Sequence, residues 1–531
     1  MNGLHRFGRF LDAESIATGL PLRSLLIVAL AIHIWVTLLS VNPLHPDEHF
    51  QVLEFAWARA GLSSPEALPW EWAAQIRPAL QPALAGGLLQ VLSFAGFDSP
   101  FLWVLVLRMA SFALACTVLL AIFARESPSL DRRGRQTLWI TGLFLWIAPL
   151  FLARFTSENA AGLALAAAIV RIETGSGLTT GTRRLRNDAV AGALLGLSFV
   201  FRFPMAMAIV PVLVWVAVQR GAGAGKRSVR RALAMSLCAG LVAVAGGLLD
   251  SWFYGTAVVT PWNYFVANLL DGKAASFGTS PWYAYLHGMP LWLAPPVGVA
   301  LTLLAIGGLA ARPRSLWTWA VLPFVLGHSL IAHKEVRFLL PMLYAMPVLV
   351  ARGTAFVPVG RASRATVRIL LLQNALLLML VATPALHRGR EFDMHYVHWL
   401  WDLAERHPGE TVYVLEAEGR PYRMWNLENN VYRHPRVRGV AHRPGDPIPS
   451  FVPAGTPPDR LLVVARGTSV PWVADARVNR LVYQAEPGYR AMAQAAGLAD
   501  AAWLRWLEAR DGWTDAGAVR RVYQVRLEGR E

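Results

Sequence analysis

Long apolar runs separated by short polar loops fill the first 384 residues of the chain. Runs of about 18 to 22 apolar residues have the length that is needed to cross roughly 30 Å of hydrocarbon. The pattern therefore predicts an all-α polytopic membrane protein with about 11 transmembrane helices. The predicted spans are residues 24–41, 101–123, 137–153, 158–172, 189–201, 204–219, 232–250, 289–310, 316–332, 338–351 and 368–384.

Two polar and aromatic stretches interrupt this pattern, at residues 42–100 and 251–288. We expect both to be large loops on the outer side of the membrane. The first loop contains two segments with helical spacing, His49–Ala60 and Ala79–Phe94. Because the second is short and interrupted by glycine, we expect it to lie at the interface and not to span.

The composition changes after residue 384, where long apolar runs stop. Alternating runs at Thr411–Leu415, Arg460–Ala465 and Arg520–Arg526 predict strands, and Ala501–Ala509 predicts a helix. We therefore predict two domains: a transmembrane catalytic domain over residues 1–384 and a small soluble α/β domain over residues 385–531.

Arginine and lysine account for a formal net charge of +16, and many of them lie in short loops between spans. These loops fall on one side of the predicted membrane, which marks the cytoplasmic side and predicts a cytoplasmic N-terminus and an outside C-terminal domain. This placement of the charges indicates that they orient the protein in the membrane, and it does not favour a nucleic-acid partner. The chain has no Asn-x-Ser/Thr glycosylation site, which favours a bacterial inner membrane. For a eukaryotic source, the expected location would be the endoplasmic reticulum membrane.

Ionisable residues follow the first span immediately, in the sequence His45-Pro46-Asp47-Glu48-His49 with Gln51 nearby. Charged groups at the edge of the hydrocarbon are costly and usually functional. A carboxylate here can take the proton from a sugar hydroxyl. Two other interpretations stay open: a solvated pair that caps a helix, and a set of ligands for a divalent metal.

Aromatic and cationic residues recur in two further stretches. Trp70-Glu71-Trp72 with Arg77 offers ring faces for a sugar and a cation for a phosphate, or a simple membrane-interface anchor. His333, Lys334 and Arg337 lie within about one helical turn and suit a phosphate, although they would also suit the end of a helix.

These motifs together resemble those of glycosyltransferase family 22, the polyprenyl-phosphate-mannose-dependent α-mannosyltransferases and their bacterial relatives. The resemblance extends over about residues 24–350, with one departure: Glu158 stands between Ser157 and Asn159, where the family usually has a serine-asparagine pair. The motifs that carry it are His45-Pro46-Asp47-Glu48 with Gln51, Trp70-Glu71-Trp72 with Ile76-Arg77, Asp250–Gly255, Thr260–Tyr264, Pro281–Tyr283 and His333–Phe338.

The resemblance implies a GT-C fold and an inverting transfer of a hexose, expected to be mannose, from a polyprenyl-phosphate donor. The acceptor would be a glycan or glycolipid hydroxyl on the outer face. We expect Asp47 to act as general base, with Glu48 beside it, and His333, Lys334, Arg337 and Arg77 to bind the donor phosphate. No cofactor is expected. The remaining candidate substrate-binding residues are His45, Gln51, Trp70, Glu71, Trp72, Arg154, Arg202, Asp250, Tyr254, Asn263 and Trp282.

Two rival functions stay open. Another transferase of the same superfamily would move arabinose or an oligosaccharide. A transporter or flippase for lipid-linked sugars would place functional charges at mid-membrane and contain internal repeats, and the sequence contains neither pattern.

Overall fold

The computed structural model describes residues 22–175, 181–219, 224–382, 394–416, 421–424, 427–443, 446–453, 455–466, 476–485 and 520–527. The predicted helix at Ala501–Ala509 lies outside them. Contacts divide the chain into two units. The membrane unit comprises Met1–Thr37, Trp70–Val91 and Leu105–Leu380, and the terminal unit comprises Leu38–Pro69, Leu92–Val104 and Val381–Glu531. Part of the first loop thus groups with the C-terminal residues, which differs from the predicted boundary at residue 384.

The regular secondary structure of the membrane unit is helical in the part of it that the structure describes. Three helices are long and apolar enough to cross a membrane in the described part of the chain, or four if one bent pair is counted as a span. They are Pro100–Glu126, Ala224–Tyr254 and Arg361–Val381. This is the character of a membrane protein, while the count of about 11 spans stays a prediction. Further helices of ten residues or more are Leu22–Leu39, Leu80–Phe94, Arg132–Leu143, Ser157–Gly175, Thr182–Phe201, Ala206–Ala217, Val297–Ala311 and Leu316–Leu330.

Three predicted spans are interrupted. Residues 137–153 divide into the helices Arg132–Leu143 and Ala148–Leu152, and residues 289–310 divide into Ala284–Trp292 and Val297–Ala311. Residues 338–351 begin as a 3₁₀ helix that extends to Tyr344 and bends by 76° before the next helix. Shorter helices in the membrane unit are Trp70–Ala73, Ser127–Ser129, Phe203–Met205, Thr260–Phe265, Val266–Leu270, Lys273–Ser276, Val336–Tyr344, Met346–Gly353 and Thr354–Phe356.

Two amides on the helix Arg361–Val381 satisfy the backbone at the first two breaks. Asn374 Oδ1 accepts from the backbone nitrogen of Trp146 at 3.1 Å, and its Nδ2 donates to the carbonyl of Phe144 at 2.7 Å. Gln373 accepts from the backbone nitrogen of Val297 at 3.0 Å and donates to the carbonyl of Pro295 at 2.8 Å. Irregular backbone is stable at membrane depth only when such partners replace water.

The 3₁₀ helix lies tightly against the helix Ser157–Gly175. A Cβ atom added at Gly162 would lie 2.4 Å from the carbonyl oxygen of Pro341, so only glycine allows this approach. The Tyr344 hydroxyl donates to Asn159 Oδ1 at 2.7 Å. These contacts fix the start of the helix that carries Glu158.

The described residues of the terminal unit contain the strands β1 Val412–Glu416, β2 Arg423–Met424, β3 Leu427–Glu428, β4 Val437–Ala441, β5 Leu461–Arg466, β6 Ala476–Ala485 and β7 Arg520–Leu527. Five of them form a mixed sheet with the order β4-β1-β5-β7-β6. Strand β1 is parallel to β4 and β5, whereas β7 is antiparallel to β5 and β6. The three predicted strands are confirmed within two residues, and with them a small sheet region after residue 384. Strands β2 and β3 form a separate antiparallel pair.

The helix Met394–Arg406 packs on this sheet through its buried face. The first-loop residues of the terminal unit contribute Phe50 to the same core. Among the described residues, the first loop contributes four short helices to this unit: Pro46–Glu48, the π-helix His49–Glu54, Phe55–Arg59 and Pro65–Ala67. The predicted helix His49–Ala60 is therefore present, with π geometry in its first half.

Candidate active site

The first-loop motif forms a tight turn in the terminal unit. His45 caps the short helix Pro46–Glu48, and its Nδ1 lies 3.2 Å from the backbone nitrogen of Asp47 and 3.3 Å from the Asp47 carboxylate. A neutral ring can accept from that nitrogen, and a protonated ring can pair with the carboxylate.

The two adjacent carboxylates have different surroundings. The Asp47 side chain is 26% exposed. Glu48 is 6% exposed, and its Oε2 accepts from the backbone nitrogen of Leu44 at 2.9 Å. Glu48 therefore stabilises the turn, while the Asp47 carboxylate stays partly exposed. Gln51, on the following π-helix, is half-buried.

Two arginines meet at one buried carboxylate in the membrane unit. Arg202 Nη1 donates to Glu158 Oε1 at 2.8 Å, and Arg337 Nη1 lies 3.8 Å from the same oxygen. Both guanidinium groups also lie over the ring of Phe338, at 5.5 and 5.3 Å from its centroid. Glu335 adds a second carboxylate, which pairs with Arg337 at 2.5 Å. Cations held this way present fixed N–H groups to an anion.

His333 and Lys334, which lie close to Arg337 in the chain, contact the backbone of the loop at residues 278–280. His333 Nδ1 lies 2.9 Å from the carbonyl of Gly278, and its Nε2 lies 3.0 Å from Glu335. Only the imidazolium form donates to both acceptors at once. Lys334 Nζ donates to the carbonyls of Ser280 and Ile331 at 2.8 and 2.5 Å. Lys334 and Arg337 are therefore both held by acceptors of the protein, Lys334 by backbone carbonyls and Arg337 by Glu335.

Side chains at the C-terminal end of the helix Ala224–Tyr254 hydrogen-bond to the backbone at and just beyond the end of the Trp70–Arg77 stretch. The Tyr254 hydroxyl donates to the carbonyl of Arg77 at 2.8 Å, and Asp250 accepts from the backbone nitrogen of Ala79 at 2.7 Å. The Trp72 ring lies 5.4 Å from the Tyr254 ring. Asp250 and Tyr254, which were predicted to bind substrate, thus make contacts that hold this loop.

Arg77 and Trp70 each have a charged neighbour within the membrane unit. Arg77 Nη2 lies 3.4 Å from Glu71, and the Lys273 ammonium lies 5.1 Å from the centre of the Trp70 ring. Asn263 donates to the carbonyl of Gln75 at 3.4 Å. Gln75 has a φ of 52°, which is uncommon for a residue other than glycine. Strained backbone of this kind is frequent at functional loops.

The other predicted residues differ in environment. Arg154 is buried, and its carbonyl accepts from Asn159 Nδ2 at 2.7 Å. Trp282 is 65% exposed. His45, Asp47, Glu48 and Gln51 belong to the terminal unit, and the remaining predicted site residues belong to the membrane unit. No three His, Cys, Asp or Glu side chains group to hold a metal within the described residues.

The family model for the Alg9-like mannosyltransferase family matches residues 24–416, about three-quarters of the chain. The chain belongs to the Alg9-like mannosyltransferase family. GPI mannosyltransferase 3 of Yarrowia lipolytica is 27% identical over 360 residues, 63% of this chain and 63% of the relative. GPI alpha-1,2-mannosyltransferase 3 of Xenopus laevis is 24% identical over 371 residues, 69% of this chain and 64% of the relative. The chain thus spans less than two-thirds of their length.

Solved structures with a similar arrangement include ArnT from Cupriavidus metallidurans bound to undecaprenyl phosphate. It is 13% identical with a TM-score of 0.49, and the match covers 77% of this chain and 84% of ArnT. Another is the Archaeoglobus fulgidus oligosaccharyltransferase in complex with Zn and sulfate, 13% identical with a TM-score of 0.43, covering 83% of this chain and 67% of that enzyme.

Every predicted site residue of this Alg9-like chain lies inside the family match. The sequence reasoning missed the roles of three buried or partly buried acids, Glu54, Glu158 and Glu335. Their charge in apolar surroundings was a usable signal, because buried carboxylates are rare unless paired. Glu54 and Glu158 have partners far along the chain, Asn430 and Arg202, which spacing could not identify. Glu335 instead pairs with His333 and Arg337, each two residues away.

Proposed function

We propose that this protein transfers mannose from a polyprenyl-phosphate donor to a hydroxyl of a glycan or glycolipid, with inversion at the anomeric carbon. The observation that carries the proposal is the family match over residues 24–416, which contains all the motif residues. The names of the relatives agree with mannosyl transfer.

In this mechanism the acceptor oxygen attacks the anomeric carbon while the bond from that carbon to the phosphate oxygen breaks. The hydroxyl proton moves to Asp47, and the leaving lipid phosphate keeps the electron pair. The partial exposure of Asp47 and the inward hydrogen bond of Glu48 support this division of roles. A phosphate is a stable leaving group and needs no strong general acid.

The proposed ligands of the leaving phosphate are Arg337 and Arg202, with His333, Lys334 and Arg77 in support. Fixed cations stabilise charge that develops in the transition state without reorganising. Glu158 and Glu335 hold the two guanidinium groups in place before the donor binds.

The test uses the purified full chain in lipid with labelled polyprenyl-phosphate-mannose and a series of acceptors, and mass spectrometry identifies the product. Asp47→Asn keeps the shape but removes the proton acceptor, so we expect turnover to fall by about 10²–10⁴-fold. Glu48→Gln is the matched control, since its amide oxygen can still accept from Leu44. An active Asp47→Asn protein with an inactive Glu48→Gln protein would reverse the assignment.

The metal interpretation of the first loop is tested separately. We expect a chelator to leave transfer largely intact, because protein cations supply the charge that a divalent ion would otherwise supply. Activity that disappears with chelator and returns with Mg²⁺ or Mn²⁺ would instead favour a metal at His45–His49.

A further inference from the structure

A fully buried carboxylate ties the first loop to the C-terminal residues of the terminal unit. Glu54 is 0% exposed. Its Oε1 accepts from the backbone nitrogens of Asn430 and Val431 at 2.7 and 3.0 Å, and its Oε2 lies 3.3 Å from Asn430 Nδ2. A buried charge is stable when several donors satisfy it in this way.

His49 strengthens the same tie. Its Nε2 lies 3.0 Å from Glu54 Oε1, and its ring stacks on Tyr432 with a centroid distance of 5.6 Å. The Asn429 side chain accepts a hydrogen bond from the backbone nitrogen of Tyr432 at 3.2 Å, which closes the turn at residues 429–432. The π-helix His49–Glu54 therefore contacts residues 429–432 at both of its ends.

A second contact with the C-terminal residues lies on the N-terminal side of Asp47. Asn42 Oδ1 accepts from the backbone nitrogen of Met394 at 2.8 Å. Between the two ties, Phe50 is buried in the core that contains Tyr396 and Tyr432. The short helix that carries Asp47 is thus held before and after by residues of the C-terminal sheet region.

We propose that residues 429–432 position Asp47, through their contacts with Glu54 and His49. This inference rests on the proposed function, in which Asp47 is the general base. A base acts only within a narrow range of distance and angle to its proton, and a displacement of about 1 Å can cost about 10²-fold in rate. Glu54 is then a positioning residue, and orienting the catalytic turn is the role of this part of the terminal unit.

The test compares Glu54→Gln and the milder Asn430→Ala, which removes only the side-chain hydrogen bond. We expect Glu54→Gln to lower kcat by about 10–100-fold with little change in KM for the donor. Asn430→Ala should lower kcat by less. Val452→Ala is the matched control, because Val452 is buried in a different core cluster of the same unit. It should lower the thermal midpoint without the same loss of kcat.

A double mutant separates positioning from general destabilisation. If Glu54 acts through Asp47, the protein with both Asp47→Asn and Glu54→Gln will be no slower than the protein with Asp47→Asn alone. Multiplied losses, or a kcat loss no larger than that of Val452→Ala, would overturn the proposal.

Hydrogen exchange of residues 44–53 distinguishes failure of this inference from failure of the proposed function. We expect faster exchange in Glu54→Gln, and unchanged exchange would overturn the positioning role. If Asp47→Asn is fully active while exchange is faster in Glu54→Gln, Glu54 does order this segment. Asp47 is then not the general base, and both its catalytic role and the proposed mechanism are overturned.

Discussion

Glu158 shows how one side chain organises a candidate phosphate site. It is 5% exposed and contacts two arginines from different parts of the chain, both of which also contact Phe338. Together with Glu335, which also pairs with Arg337, Glu158 holds both guanidinium groups at fixed positions. A glutamate between Ser157 and Asn159 therefore has a physical role in this chain.

The geometry of Arg337 predicts a graded response to substitution. Arg337→Ala should lower kcat/KM for the donor by roughly 10–100-fold, the worth of one or two hydrogen bonds to a charged group. Arg337→Lys should retain part of the activity, because a point charge only partly replaces a planar fork. Steady-state kinetics with the lipid donor measure both.

Arg314→Ala is the control for a change in net charge, since Arg314 is exposed and lies in another loop. Equal kinetics for Arg337→Lys and Arg337→Ala would mean that the fork geometry is not used.

The residue types at the candidate site could be predicted from the sequence, but their contacts could not. Asp47 was predicted because charge at a membrane edge is costly, and Arg337 because it lies within about one helical turn of two other cations. Lys334 was grouped with Arg337 by spacing, yet its ammonium donates to backbone carbonyls. Close spacing in the sequence therefore does not show that the two side chains point toward the same ligand.

At the scale of elements, apolarity identified the helices but not their breaks. The apolar run through residues 137–153 gives no sign that Asn374 will supply both a donor and an acceptor to residues 144 and 146. The strands were predicted within two residues because alternation is a local signal. A break that depends on a partner from another helix is not local.

A buried ion pair joins three helix ends and predicts a stability effect. Arg352 Nη2 donates to Glu126 Oε2 at 2.8 Å, and Trp317 Nε1 donates to Glu126 Oε1 at 3.1 Å. Glu126→Ala leaves the buried guanidinium without this carboxylate, so we expect a loss of about 3–5 kcal/mol in the free energy of unfolding.

Thermal unfolding of the protein in lipid, followed by tryptophan fluorescence, measures this loss. Glu66→Gln serves as the control because Glu66 is exposed. A midpoint for Glu126→Ala that matches the control would show that the ion pair contributes little.

At the scale of the whole molecule, the one-sided arginine distribution predicts orientation. Reporters fused after Arg133 and after Gly409 should label opposite sides of the membrane, since short arginine-rich loops stay cytoplasmic. An odd number of spans between the N-terminus and residue 409 is then required. Reporters on the same side would contradict the predicted outside location of the C-terminal domain.

The hydrogen bond between Asn42 and Met394 joins residues 352 positions apart. During synthesis, the segment that carries Asp47 leaves the ribosome long before its partners at residues 394–432 exist. Contacts this distant in sequence form late, because the chain entropy of closing the loop must be overcome first. We therefore expect the turn that carries Asp47 to be among the last parts of the molecule to become ordered, so that, under the proposed function, a half-made chain already in the membrane could not yet carry out the transfer.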